Sequence, residues 1–165
     1  RYALCFKIMK NNLIKNLKEI INWSNEFQNL EDKPDILMRQ LLEVHSNLYS
    51  INYEIDDKEY PNCPERDYQK DYQEIRKNIE INFPEFTPYN VISDITFQSK
   101  DNEIYLADPY DDLTDLIIDF KDFVWYLENT SINNGIMYFR NGYTFHWGKH
   151  ISDLTYYLLH LKFGL

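Results

Sequence analysis

The chain has 165 residues, 44% of them hydrophobic and 16% aromatic, the size of one domain with enough apolar side chains to bury a sizeable core. Its 27 acidic against 17 basic residues leave a formal charge of -10, a field that argues against nucleic acid and anionic membranes as partners and favours a basic protein surface. No apolar run approaches the roughly 20 residues that span a bilayer, the opening seven residues carry charge too early for a signal-peptide core, and Cys5 and Cys63 form no CxxC pair, so a single reduced, cytoplasmic domain over residues 1–165 is expected.

Only four glycines and six prolines interrupt the chain, and long periodic segments with few breakers predict a mostly helical fold. In the first segment Leu13, Ile14, Leu17, Ile20, Ile21 and Phe27 recur at three and four residues, an amphipathic helix ending near Leu30. A second helix follows, with Asp32 as its cap, Pro34 in its first turn and Leu37, Leu41, Val44, Leu48 and Ile51 on one stripe. The acidic, proline-bounded stretch 53–64 reads as a connection. A third and more polar helix is expected within 65–82, where Tyr68, Tyr72, Ile75 and Ile79 keep helical spacing and Pro84 and Pro88 close the segment.

Between 90 and 107 the pattern changes. Ile95 and Phe97, then Ile104 and Leu106, flank the polar stretch 98–102, which predicts a small β-hairpin near residues 93–106 lying against the helices, with an irregular loop as the alternative. Asp108 and Pro109 open the fourth helix, whose buried stripe is Leu113, Leu116, Ile117, Phe120, Val124 and Leu127. The fifth is expected as one continuous helix over 134–162, with Ile136, Phe139, Tyr143, Trp147, Leu154, Leu158 and Leu161 facing inward. The expected fold class is therefore all-α, an antiparallel bundle of about five helices.

One local spacing can carry chemistry. His146 and His150 stand four residues apart, so on a helix they share a face and can share a ligand, a carboxylate or a metal. At about 100° per residue His150 falls near the centre of the fifth helix's apolar face and His146 about 40° further round, at its edge. Their expected partners are aspartates of the fourth helix. Asp112 and Asp119 project from the flank of its stripe, whereas Asp111, Asp115 and Asp122 project opposite it, toward solvent. The candidate site is thus a histidine–carboxylate cluster of His146, His150, Asp112, Asp119 and Asp115, the carboxylates fixing the tautomer and raising the basicity of the rings. Asp111, Asp122 and Trp147 are candidates for contact with a partner.

His45, His146 and His150 form the candidate metal set, a facial arrangement similar to that of the DinB-like bundle family, which places one histidine early and an HxxxH pair late. His45 nonetheless projects about 70° from the centre of its helix's stripe, toward the periphery. Ferritin-like di-iron chemistry needs Glu-x-x-His pairs, and the chain has none. His160, near the end of the last helix, suits the helix dipole. There is no Gly-x-Ser-x-Gly elbow, no glycine-rich phosphate loop and no dinucleotide turn.

Asp111-Asp112-Leu113-Thr114-Asp115-Leu116, followed by Phe145-His146-Trp147-Gly148-Lys149-His150 and Leu158-Leu159-His160, resembles an uncharacterised bacterial family of helical proteins of unknown function. Its members pair a DDLxDI-like helix start with a late HWGxH helix, and weaker similarity runs upstream through Leu41-Leu42 and Leu48-Tyr49. The resemblance implies a helical fold and a paired aspartate and histidine cluster, and no reaction. Three readings of function follow. The first is a non-enzymatic acidic protein-binding domain without a cofactor, such as an immunity-type antagonist that covers a basic toxin or nuclease. The alternative is an enzyme dependent on a divalent metal at His146 and His150, completed by His45, Asp112 or Asp119. The third is a structural or dimerising domain whose histidines only specify helix packing.

Overall fold

The structure, a computed structural model, describes residues 2–50, 65, 67–93 and 103–164, apart from the side chains of 2–10 and 48–50. The helix that organises it is α4 (Pro109–Asn129). The Asp108 carboxylate accepts from the Tyr110 N–H at 3.0 Å, and Pro109 sits in the first turn, where a missing N–H costs nothing. All six residues of its expected stripe are buried, because α4 packs against α1 (Tyr2–Ile21), α3 (Tyr68–Asn82), α5 (Ile132–Gly142) and α6 (Gly148–Phe163). α2 (Lys33–Ser50) closes the bundle against α1 and α6. Thr130 and Ser131 alone join α4 to α5, and Ser131 caps α5 by accepting from the Asn134 N–H. None of the described helices is long and apolar enough to cross a membrane.

α1 ends earlier than its periodicity predicts. After Ile21 the chain tightens into a 3-10 turn, Asn22–Ser24, and Phe27 and Leu30 are 57% and 50% exposed. The cause lies on α3. Asn82, only 1% exposed, accepts from the Gln28 N–H at 2.7 Å and donates to the carbonyls of Trp23 at 3.1 Å and Glu26 at 2.9 Å, taking up backbone groups that a longer helix would have paired internally. α2 then starts at Lys33. Asp32, at φ 52°, serves through its carbonyl, which accepts from the N–H groups of Asp35 and Ile36. α3 starts at Tyr68, with the Asp67 carboxylate accepting from the Lys70 N–H.

The hairpin forms, but its first strand lies earlier than expected. β1 (Tyr89–Ile92) pairs antiparallel with β2 (Ile104–Ala107), Tyr89 opposite Ala107 and Ile92 opposite Ile104. The earlier register is set by Val91, which is buried, and by Tyr89, whose ring stacks on Tyr157 of α6 at 4.7 Å. The connection expected at 53–64, the polar stretch 98–102, Ile51, Cys63, Ile95 and Phe97, and the side chains of Cys5 and Leu48 lie outside the described residues.

The fifth helix is not continuous. Between α5 and α6 the chain makes a π turn, Tyr143–Trp147, closed by the Gly148 N–H donating to the Tyr143 carbonyl five residues back. Phe139, Tyr143, Trp147 and Ile151 come at strict four-residue intervals. In an α-helix that spacing drifts about 40° per step, and one wide turn absorbs the drift and keeps Phe139, Trp147 and Ile151 in the same core. Trp147 packs on Phe139 at 4.5 Å and Phe120 at 5.4 Å. A Cβ on Gly148 would collide with the Tyr143 carbonyl oxygen, and one on Gly142 would meet the Trp147 indole. As a consequence Ile151, not His150, holds the buried centre of α6, and Leu161 is exposed.

Candidate functional site

A row of carboxylates on α4 faces the start of α6. His150 Nδ1 lies 2.6 Å from Asp112 Oδ1, and Tyr89 of β1 donates its hydroxyl to the other Asp112 oxygen at 2.5 Å, so both oxygens of this buried carboxylate are engaged. About two turns further along α4, His146 Nδ1 lies 2.7 Å from Asp119 Oδ2. An ionised carboxylate can only accept, so each ring donates from Nδ1, which in the neutral imidazole leaves the Nε2 lone pair free. His150 Nε2 stands 3.8 Å from Asp115 Oδ2, and the two imidazole centroids are 5.3 Å apart. Asp115, His146 and His150 each offer one ligand atom within 4.8 Å of the others.

The expected pairing of Asp112 and Asp119 with the histidines is present. Asp115, expected to be solvated, is instead half-buried beside His150, because the π turn moves His150 off the centre of its helix and toward α4. His146 is not tucked inward: its side chain is 55% exposed, since it sits on the outer side of the wide turn. Two of the three groups expected to meet a partner are inside. Trp147 is 1% exposed and Asp122 4%, the latter accepting from Tyr68 at 3.3 Å. Asp111 is half exposed and held by the Tyr72 hydroxyl, with Arg76 spanning Asp108 at 2.7 Å and Asp111 at 3.9 Å. Tyr89, Tyr72 and Arg76 carry no signal in sequence spacing, since they reach α4 from 23 to 39 residues away.

His45 does not join the metal-capable group among the described residues; Asp115 stands in its place. Its ring lies edge-on to Tyr143 at 5.9 Å, and its buried Nε2 has no hydrogen-bond partner among the described residues. Burial lowers its pKa, so the folded state binds its proton less well than the unfolded chain. Stability from this group is full above the unfolded value near 6.5 and declines as pH falls toward the depressed folded value. Thermal unfolding of the wild type is therefore expected to lose more between pH 7 and about 5.5 than that of His45→Leu. Parallel melting curves with equal slopes would show that His45 contributes nothing.

Electrostatics within the site favour proton-holding phenols and a basic His150 ring. The Asp112 hydrogen bond raises the pKa of His150 against the opposing effect of burial. Burial raises the carboxyls of Asp115 and Asp119. It also raises Tyr89, reinforced by Asp112, and pushes Tyr72 up to about 12, reinforced by Asp111, so both phenols stay protonated donors. Donors around a transition-metal ion at about 2.0–2.2 Å lie roughly 3 to 3.5 Å from one another, so small side-chain rotations close the Asp115, His146 and His150 group onto an ion.

A family model described as a domain of unknown function, DUF5063, matches residues 13–164. Among curated proteins none is similar. The crystal structure of protein BF1032 from Bacteroides fragilis, a structural genomics target, has a similar fold: the TM-score is 0.66 at 14% identity, over 93% of this chain and 91% of that one.

Proposed function

The chain belongs to the DUF5063 family, and because that description names no activity, we propose from the site alone that the domain binds one divalent transition-metal ion through Asp115, His146 and His150. The observation that carries this reading is the pair of carboxylates behind the rings. Asp112 and Asp119 each hold one Nδ1, which orients both imidazoles as ligands, while Asp115 supplies the third donor. Two histidines and one carboxylate are a set used by zinc and by non-haem iron. Three protein donors with one exposed ring leave coordination positions open, the arrangement of catalytic sites rather than of closed structural ones. The domain is thus read as a metal-dependent helical-bundle enzyme.

The acidic antagonist reading has less support, because the α4 carboxylates that would meet a basic toxin or nuclease are turned to Arg76, Tyr68, Tyr72, Tyr89 and the two histidines. Its remaining basis is the net charge.

Metal analysis after dialysis against zinc, cobalt, manganese or iron(II) tests the metal reading. About one equivalent is expected in the wild type, and loss of it in His150→Ala and Asp115→Ala. Asp112→Asn keeps the shape of the side chain but removes the charge behind His150, and a 10- to 100-fold weaker affinity is expected, typical for groups that orient a ligand. Substoichiometric metal in the wild type, or undiminished metal in the ligand variants, contradicts the assignment.

A further inference from the structure

Resting on the metal reading, we propose that the open positions of this site accept neutral or cationic ligands and turn away phosphate and other multiply charged oxyanions. The charges around the three ligands decide this. Asp111, Asp112, Asp119 and Asp122 line α4 beside Asp115 over 11 residues, about 16 Å of helix, and a single divalent ion leaves that row net negative.

Oxyanion recognition normally uses arginine forks, lysines or the free N–H groups at a helix N-terminus. Among the described residues, Arg76, Lys149 and the Tyr110 and Asp112 N–H groups are engaged elsewhere. Arg76 is bound to Asp108 at 2.7 Å and to Glu80 at 3.0 Å, and also faces Asp111. Lys149, next to His150, is paired with Asp153 and sits over the Tyr105 ring at 5.3 Å. At the start of α4 the Tyr110 N–H is held by the Asp108 carboxylate and the Asp112 N–H by the Asp108 carbonyl. Phe145, adjacent to His146 in the chain, is 85% exposed, and ring faces attract organic cations and tolerate neutral groups.

The test uses the cobalt-loaded full chain and its visible spectrum at low ionic strength, titrated separately with imidazole and with inorganic phosphate. Imidazole is expected to perturb the cobalt bands at a concentration at least about tenfold below that needed for phosphate. Asp111→Asn removes one charge and releases part of the hold on Arg76, so it is expected to strengthen phosphate binding several-fold and leave imidazole binding unchanged. Phosphate binding as tight as imidazole, or an Asp111→Asn variant indifferent to phosphate, overturns the charge selection while leaving the metal assignment intact. A chain that takes up no cobalt overturns both.

Discussion

Asn82→Ala is expected to lower the unfolding free energy by about 3 to 4 kcal/mol, which for a chain of this length is a fall of roughly 10 °C in Tm. The side chain is a crosslink made of hydrogen bonds. Its oxygen takes the Gln28 N–H, and its nitrogen serves carbonyls of Trp23, Glu26 and Asn78, tying α3 to the segment that links α1 and α2. Truncation leaves the Gln28 N–H and at least one buried carbonyl without partners, each worth about 1 to 3 kcal/mol. Asn82→Asp sharpens the point, since it keeps the acceptor but sets a carboxylate against the Trp23 and Glu26 carbonyls; at neutral pH it is expected to be at least as damaging as alanine. Urea denaturation measures both, and a loss under about 1 kcal/mol in each would mean that the linker is held by other contacts.

Gly148→Ala carries the second large effect, and its sign is diagnostic. At an ordinary helical position glycine to alanine gains up to about 1 kcal/mol. Here the new methyl would enter the space of the Tyr143 carbonyl oxygen, the very group that accepts the Gly148 N–H across the π turn, and backbone cannot rotate away as a side chain can. A loss of about 3 kcal/mol is expected, together with displacement of Trp147 from the core. Gly135→Ala is the comparison: its methyl would press chiefly on the buried Leu127 side chain rather than on a backbone carbonyl, and a smaller loss, about 1 to 2 kcal/mol, is expected. Equal effects at the two glycines would show that the π turn imposes no constraint of its own.

Periodicity was enough to find α4, because its stripe, its cap and its first-turn proline all agree locally. It was enough to bring Asp112 and Asp119 to the histidines, because both sit on the flank of that stripe and the partner helix is its neighbour. It misplaces His146 because projection at a fixed angle runs straight through 143–147, where the chain takes a wider turn, and Asp115 and Asp122 because α4 packs against four helices and is covered beyond its apolar stripe. The four-residue beat of Phe139, Tyr143, Trp147 and Ile151, with a glycine directly after Trp147, is the local signal of that turn. Tyr89 and Asn82 had no such signal. Their partners are 23 and 54 residues away in sequence, and only the packing of β1 and α3 brings them together.

The same turn explains why the metal-capable group differs from three histidines. His45, on α2, meets the rod at Tyr143, the start of the wide turn, whereas the imidazoles that converge lie at its end and face α4. A carboxylate from α4 therefore completes the group more readily than a ring from α2.

A zinc-edge anomalous difference map of zinc-soaked crystals tests the assignment most directly. One peak is expected between the facing sides of His146 and His150, about 2.0 to 2.2 Å from a nitrogen of each and from an Asp115 oxygen, with Asp112 and Asp119 still holding the opposite nitrogens. Zinc found only elsewhere on the surface, with the two rings still facing each other across an empty gap, would contradict it.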